Sequence, residues 1–336
     1  MGVKVAIVGV TGAVGREMLA CLEKRDFPVE SLTVMASGRS AGKTVVFRGR
    51  ECVIVEASAA ACRGVDIALM AVESGQSREF SPVFAQNGAV VVDNSSAFRM
   101  DPEVPLVVPE VNPEAVADRP KGIIANPNCS TIIMNVPVWP LHKAKRARRI
   151  IVSTYQAASG AGKPAMDELD ATTRAWARGE AIVPRVFPHP LAFNLFSHNS
   201  DIGPNGYNQE EMKMTLETRK IFQAPALMIA ATCVRVPVMR AHCEAINIEF
   251  EEAITPVEAR AILEGAPGVA VLDDPKANRS PQPRDATGRD EVLVGRIRED
   301  ISVPDGKGLA LFVAGDQILK GAALNAVQIA ELVIAG

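Results

Sequence analysis

Up to about residue 125, short runs of β-branched and apolar residues alternate with stretches of helical periodicity. The apolar runs fall at residues 3–8, 32–36, 52–55, 66–72, 89–93 and 122–125, and the first helical stretch runs through Leu22. Strands alternating with helices at this spacing predict a mainly parallel, doubly wound sheet. Beyond about residue 150 the apolar runs lengthen, to 150–154, 228–237 and 245–251, with long Pro-, Gly- and Asn-rich segments between them. That change of texture predicts a second, α+β domain. Residues 273–290 are polar and carry Pro275, Pro281 and Pro283, so they read as a long surface loop. After Gly321, the residues Ala323, Val327, Ala330 and Ile334 recur on one helical face, a small-residue stripe that calls for close packing.

Composition narrows the function classes. The chain has 336 residues, 48% of them hydrophobic and 4% aromatic. That is enough for two domains with a substantial core, and too few aromatics for a protein that stacks single-stranded bases. Net charge is −3, so no overall positive field draws the chain to nucleic acid or anionic lipid. The basic run at residues 142–149 reads as a solvated helix end. Six cysteines show no CxxC pair and no Cys/His spacing for zinc, so they read as reduced thiols, with Cys21, Cys52 and Cys62 as small buried hydrophobes and no metal expected. No stretch approaches the ~18 apolar residues of a membrane span. The expectation is a cytoplasmic protein without membrane or nucleic-acid partners.

The first strand leads into Gly9-Val-Thr-Gly-Ala-Val-Gly15, which opens a helix. Glycines at 9, 12 and 15 permit a tight turn, close approach of backbone to a pyrophosphate, and close helix-on-strand packing, with the anion on the helix N-terminus. The spacing is GxxGxxG rather than GxGxxG, and strand, loop and helix occur in the required order. Gly9, Thr11, Gly12, Ala13 and Val14 are therefore candidate dinucleotide contacts. About 20 residues later, where an NAD enzyme places an acid on the ribose, stands Met35-Ala-Ser-Gly-Arg-Ser40. Arg39 pairs well with a 2′-phosphate, with Ser37 and Ser40 beside it, which favours NADP.

A second chemical signal lies at Asn126-Pro-Asn-Cys-Ser-Thr131, between the strand at 122–125 and the apolar run at 132–138. Cys129 thus falls at a strand end and a helix start, where the helix dipole and free amides lower a thiol pKa and raise the nucleophilic thiolate fraction. Asn128 is a plausible cap and amide donor beside it. Pro137 and Pro140 predict that this helix bends or ends early.

These motifs, with Ser95-Ser-Ala-Phe-Arg99, Val108-Pro-Glu-Val-Asn112, Tyr155-Gln-Ala-Ala-Ser-Gly-Ala-Gly162, Glu210-Glu-Met-Lys213, Arg235-Val-Pro-Val with His242 following, and Val313-Ala-Gly-Asp316, stand in an order that resembles the bacterial aspartate-β-semialdehyde dehydrogenases over nearly the whole chain. The resemblance implies a Rossmann-type doubly wound parallel-sheet domain, residues 1–128 plus 317–336, which binds NADP. It also implies a second α+β catalytic and dimerisation domain, residues 129–316, in a homodimer. The implied reaction is NADPH-dependent conversion of β-aspartyl phosphate to aspartate semialdehyde and phosphate, through a cysteine thioester, on the route to lysine, threonine and methionine. Cys129 becomes the nucleophile, His242 the acid/base group, and Gln156 a holder of substrate or thioester. Arg99, Asn128 and Lys213 receive phosphate, Arg235 receives the α-carboxylate, and Glu210 orients Lys213 or accepts from the amino group. Ser159 and Gly160 offer amides to the nicotinamide end. Gln317 stands where many relatives carry Asn, so its carboxamide contact is expected to be arranged differently. N-acetyl-glutamyl-phosphate reductases share the fold and thioester logic but differ at the cysteine motif.

Overall fold

The computed structural model describes residues 2–336. The chain forms two compact units, one comprising the chain up to Asn128 together with Ala322–Gly336, the other Cys129–Gly321.

In the first unit the elements run β1 (Val3–Val8), α1 (Ala13–Lys24), β2 (Val29–Ala36), β3 (Thr44–Phe47), β4 (Arg50–Val53), β5 (Val55–Glu56), β6 (Ile67–Met70), α2 (Ser74–Gln86), β7 (Val90–Asp93) and β8 (Ile123–Ala125). Six strands pair in parallel in the order β5-β2-β1-β6-β7-β8, and β3 and β4 form a separate antiparallel hairpin. Strands buried on both faces read as continuous apolar runs, which is why this sheet is legible: Ala6, Ile7, Ala68, Leu69, Val91 and Val92 are fully buried. The run at 52–55 divides between two sheets. Ile54 is buried between β4 and β5 and donates to the Lys43 carbonyl at 2.8 Å, so the chain turns where a single strand was expected. The sheet grows outward in both directions from β1, the switch point at whose carboxyl end open α/β sheets bind ligands. The C-terminal helix Leu324–Ala335 packs on α1, β6 and β7. Ala323, Val327 and Ala330 of its stripe are fully buried, whereas Ile334, in the last turn, is 40% exposed.

The second unit comprises α3 (Cys129–Lys145), β9 (Ala147–Gln156), α4 (Lys163–Ala177), β10 (Phe196–Ser197), α5 (Gln209–Ile221), β11 (Met228–Arg235), β12 (His242–Phe250), α6 (Pro256–Glu264), β13 (Val269–Val271), α7 (Pro283–Ala286), β14 (Val292–Glu299) and β15 (Gly308–Gly315). Its mixed seven-stranded sheet has the order β10-β11-β9-β12-β15-β14-β13. Helices α3, α5 and α6 pack against this sheet. Helix α3 runs through both prolines to Lys145 rather than ending early. Pro137 and Pro140 remove only the donors for Ile133 and Val136, and residues 130–138 are buried, so packing outweighs the two lost bonds. The segment 273–290 is less of a loop than expected: Asp273 accepts from the amides of Arg296 and Ile297 and from Arg260, and α7 forms a short helix.

The chain leaves the second unit at residue 321, five residues later than the expected boundary at 316. The reason is Asp316, whose Oδ1 accepts from the amides of Ile318 and Leu319 at 3.1 and 3.2 Å and whose carbonyl accepts from Gly321 at 3.0 Å. These bonds hold residues 317–321 to the end of β15.

Candidate active site

In the first unit the loop after β1 has the shape its glycines imply. Gly9 adopts φ 91°, and a Cβ there would lie 2.2 Å from the Ala71 carbonyl oxygen. A Cβ on Gly15 would meet the Gly9 carbonyl oxygen at 2.3 Å, so the helix packs against the loop backbone. Gly12 is the N-cap of α1, with no side-chain cap and no acid in the first turn, and that leaves the helix N-terminus suited to an anion. Thr11, Ala13 and Val14 surround it at intermediate burial. Ser37, Arg39 and Ser40 occupy the turn after β2, closed by Ser40 N–H donating to the Ser37 carbonyl at 2.8 Å.

That turn also holds a carboxylate that sequence reading did not place there. Strand β5 pairs with the end of β2, Ala36 opposite Glu56, and an ideal Cβ on Gly38 would lie 2.8 Å from Glu56 Oε1. Spacing counted along the chain misses an acid delivered by a neighbouring strand.

Arg99 is buried in the first unit, its Nε donating to the Asn126 carbonyl at 3.0 Å and Nη2 to the Asn94 carbonyl at 2.7 Å. The loop carrying it is fixed by Asp93, which accepts from both the amide and hydroxyl of Ser95. Burial raises the Asp93 pKa, opposed by those bonds and by Arg99. Asn128 is buried directly before α3.

In the second unit Cys129 occupies the first turn of α3, half-buried, and a Cβ on Gly321 would lie 2.9 Å from its own Cβ. Burial pushes the Cys243 thiol up to about 12, raises those of Cys62 and Cys233, and leaves them unsuited to nucleophilic work. Cys52, on the β4 hairpin strand, is half-buried rather than buried. The next residue after Cys129 begins a network: Gln156 Nε2, at the end of β9, donates to Ser130 Oγ at 2.8 Å and to Glu210 Oε1 at 3.3 Å. Glu210 Oε2 pairs with Lys213 Nζ at 3.1 Å, one helical turn along α5. A capping box, Asn208 with Glu211, starts α5 and so fixes both residues.

Strand ends bring the remaining groups together. Arg235 stands opposite Gln156 in the β11–β9 register, and His242 opposite Gly315 in the β12–β15 register. Arg235 Nη1 donates to the Ala157 carbonyl at 2.9 Å, and the Ala157 N–H donates to His242 Nδ1 at 3.0 Å. Burial lowers the Arg235 pKa, countered by Glu210 and by Cys129, so the guanidinium lies within electrostatic reach of the nucleophile candidate. Burial is also the larger of the causes, with Arg235 second, that push His242 down to about 3.

Ser159, Gly160 and Gln317 join this cluster, though not through the amides expected to reach a cofactor. Ser159 N–H already donates to the Met239 carbonyl, in the segment between β11 and β12, and Gly160 N–H to the Ala157 carbonyl within its own turn. Gln317 is spanned by protein: its Oε1 accepts from the Ala241 amide at 2.8 Å and its Nε2 donates to Ser159 Oγ. Gly160 serves another purpose. A Cβ there would stand 2.9 Å from Arg235 Nη1 and 3.1 Å from both Cε1 and Nε2 of His242, so only glycine lets these side chains close up.

His198, which the sequence motifs do not single out, holds Arg235. A guanidinium can only donate, so at 2.8 Å from Arg235 Nη2 the His198 Nε2 must accept. The His198 Nδ1 lies 3.1 Å from Ser200 Oγ and 3.2 Å from the Ser200 amide nitrogen, and the same hydroxyl accepts from the Glu210 amide. Burial pushes His198 down to about 4. The signal was pairing of β10 with β11, Phe196 opposite Arg235, invisible in a two-residue strand. Glu244, also missed, is fully buried two residues along β12 from His242, and neither carboxyl oxygen has a partner among the described residues. Burial raises its pKa well above the usual carboxylate range, with the charge of Glu210 adding. Among the described residues no His/Cys/Asp/Glu cluster is arranged to hold a metal, and no helix is long and apolar enough to cross a membrane.

A parallel-sheet unit with a glycine loop, joined to a mixed-sheet unit that presents a thiol at a helix start and gathers Gln, Arg and His at its strand ends, defines an oxidoreductase of the semialdehyde dehydrogenase class. Residues 4–119 match the family model for the semialdehyde dehydrogenase NAD binding domain, and residues 138–320 that for its dimerisation domain. The chain belongs to the aspartate-semialdehyde dehydrogenase family. It is 54% identical over 333 residues to the aspartate-semialdehyde dehydrogenase of Synechocystis sp., covering 99% of this chain and 97% of that protein. It is 51% identical to that of Aquifex aeolicus, covering 99% and 98%. Among solved structures, aspartate semialdehyde dehydrogenase II from Vibrio cholerae complexed with ASA superposes with a TM-score of 0.95 at 44% identity, covering 100% of this chain and 99% of that one. The Candida albicans enzyme with NADP superposes at 0.76 and 25% identity, covering 100% and 99%.

Proposed function

We propose that this protein interconverts β-aspartyl phosphate and aspartate 4-semialdehyde plus phosphate, with NADP as cofactor and a thioester on Cys129, on the route to lysine, threonine and methionine. The first unit is its NADP-binding domain, the second its catalytic and dimerisation domain, and the working form is a cytoplasmic homodimer. The observation that carries this reading is the convergence of Gln156, Arg235 and His242 at strand ends in the unit whose first residue is Cys129 at the opening turn of α3.

The glycine cradle at Gly9, Gly12 and Gly15 fits a pyrophosphate, and Thr11, Ala13 and Val14 line it. Arg39 with Ser37 and Ser40 takes the 2′-phosphate. Ser159, Gly160 and Gln317 support the nicotinamide end by shape rather than by free amides. When bound, the cofactor supplies or accepts the hydride. Cys129 as thiolate attacks the acyl phosphate carbon, forming a C–S bond as the phosphate oxygen leaves with its electron pair. Arg99, Asn128 and Lys213 stabilise the departing phosphate, and Arg235 holds the α-carboxylate through its planar fork. Glu210, paired with Lys213, accepts from the substrate amino group, and Gln156 fixes the acyl group. His242, as acid/base group, manages the proton as the hemithioacetal collapses to aldehyde and thiolate.

The test is intact-protein mass spectrometry after incubation with aspartate semialdehyde and NADP without phosphate. An acyl adduct on Cys129 is expected in the wild-type protein and none in Cys129→Ser, which also loses turnover. Turnover retained in Cys129→Ser would overturn the thioester.

A further inference from the structure

Arg99 is held at one edge by two backbone carbonyls, Nε donating to that of Asn126 at 3.0 Å and Nη2 to that of Asn94 at 2.7 Å. A guanidinium is planar, so two acceptors along the Nε–Nη2 edge set the plane of the whole fork. Whatever fixes Asn94 and Asn126 therefore fixes Arg99. Their backbones are tied to the carboxyl ends of β6 and β7, the Asn94 amide donating to the Met70 carbonyl at 3.1 Å and the Asn126 amide to the Asp93 carbonyl at 2.8 Å. Their side chains are tied to each other, Asn126 Nδ2 donating to Asn94 Oδ1 at 2.8 Å.

A third asparagine joins this set from the other end of the chain. Asn325, fully buried in the first turn of the C-terminal helix, donates through Nδ2 to Asn126 Oδ1 at 2.6 Å and to the Val107 carbonyl at 3.1 Å. Backbone carbonyls only accept, and one stands at each end of this row of amides. The Val107 carbonyl turns the nitrogen of Asn325 inward, so Asn126 must answer with its oxygen and present its nitrogen to Asn94. The Met70 carbonyl accepts from Asn94 Nδ2 at 3.1 Å and so turns the oxygen of Asn94 to meet that nitrogen. One orientation of the three amides satisfies every bond, and hydrogen bonds aligned in a chain strengthen one another. Arg99, Asn126 and Asn325 are all buried, so an amide deprived of its partner here has no water to replace it.

We propose that Asn325 and Asn126 are positioning residues for phosphate: through this row of amides they hold the carbonyls of Asn94 and Asn126, and with them the Arg99 guanidinium, in the orientation that receives the anion. The proposal rests on the reading of Arg99 as a phosphate receptor. All four residues belong to the first unit, and the C-terminal helix thereby takes part in substrate recognition as well as in packing.

The test is a set of saturation curves on the whole protein in the direction of acyl phosphate formation, with inorganic phosphate and aspartate semialdehyde varied separately at saturating NADP. Asn325→Ala should raise KM for phosphate about three- to tenfold, the worth of one buried hydrogen bond, with kcat and the KM for semialdehyde within about twofold of wild type. A general loosening of the fold would lower kcat or raise both KM values, and that pattern, or an unchanged phosphate KM, would overturn the proposal. Should Asn325→Ala melt below the assay temperature, Asn94→Ala takes its place. It removes the acceptor at the other end of the row from a half-buried position, keeps the backbone carbonyl bonded to Arg99, and should give the same selective rise. Either variant added to Arg99→Ala should raise the phosphate KM no further, because the group it positions is gone, and multiplicative effects would overturn the proposal. A phosphate KM unaltered in Arg99→Ala alone would remove the reading of Arg99, and this proposal with it.

Discussion

Replacing Gly160 by alanine tests the geometry of the site with a single methyl group. The new Cβ would lie 2.9 Å from Arg235 Nη1 and 3.1 Å from His242 Cε1 and Nε2, inside ordinary contact by a few tenths of an ångström at three atoms. Neither neighbour yields freely. Arg235 is tied by Nη1 to the Ala157 carbonyl and by Nη2 to His198, and His242 is tied by Nδ1 to the Ala157 amide. Overpacking a well-fitted site costs about 1–3 kcal/mol. If that cost falls on the transition state at about 1.4 kcal/mol per tenfold, kcat/KM for aspartate semialdehyde drops about 5- to 150-fold. The assay is initial NADPH formation with semialdehyde varied at saturating NADP and phosphate, accompanied by a thermal melt to establish that the variant is folded. Gly75→Ala is the control, because nothing lies within 4 Å of a Cβ there and its φ is ordinary for an L residue. A kcat/KM for Gly160→Ala within twofold of wild type would refute the reasoning that glycine is required by the close approach of these two side chains.

Cofactor choice should respond in opposite directions to two changes in one turn. Arg39→Leu should weaken NADPH about tenfold to a hundredfold relative to NADH, the worth of a charged bidentate contact, whereas Glu56→Gln should favour NADPH by about two- to fivefold by removing an exposed carboxylate. Changes in the same direction, read as kcat/KM ratios, would show that the turn does not face the 2′-position. The two anion receptors should separate in saturation curves: Arg99→Ala raises KM for phosphate, and Arg235→Lys raises KM for semialdehyde, since an ammonium cannot make two parallel bonds to a carboxylate. Both mutants affecting both substrates alike would contradict separate receptors. Acid stability should carry the signature of histidines buried neutral. His198 is held near 4 and His242 near 3, against 6.5 in the open chain, so the unfolded state binds more protons in that window. Unfolding free energy then falls as pH drops from about 6.5, by about 3 kcal/mol from His198 alone by pH 4. Denaturant melts of wild type and His198→Gln at pH 7 and 4 read this, and equal losses in the two would remove His198 from the account.

What could be read from the sequence follows the range over which each signal acts. The parallel strands were visible because burial on both faces makes each a continuous apolar run, and Cys129 was visible because strand end and helix start are adjacent in the chain. Glu56, His198 and Glu244 were not, because each acquires its setting from a neighbouring strand: β5 beside β2, β10 beside β11, β12 beside β9. The prolines of α3 misled because a local rule about missing donors carries no information on how deeply the helix is packed. The boundary at 321 was displaced by one carboxylate, Asp316, gathering amides that follow it.

The return of the C-terminal helix to the first unit sets an order on synthesis. Arg25 pairs with Glu331 across 306 residues of chain, and Asn325 bonds Asn126 across 199. A ribosome adding about 5–20 residues per second therefore holds the nucleotide-binding unit without its last helix for roughly 10–40 s after Asn126 is made, while the second unit is completed in the interval. The buried faces of α1, β6 and β7 that receive that helix stand uncovered throughout. Nascent chains arrested before residue 324 should accordingly be the form that chaperones and proteases engage, with protection of the first unit arriving only when the final turns emerge.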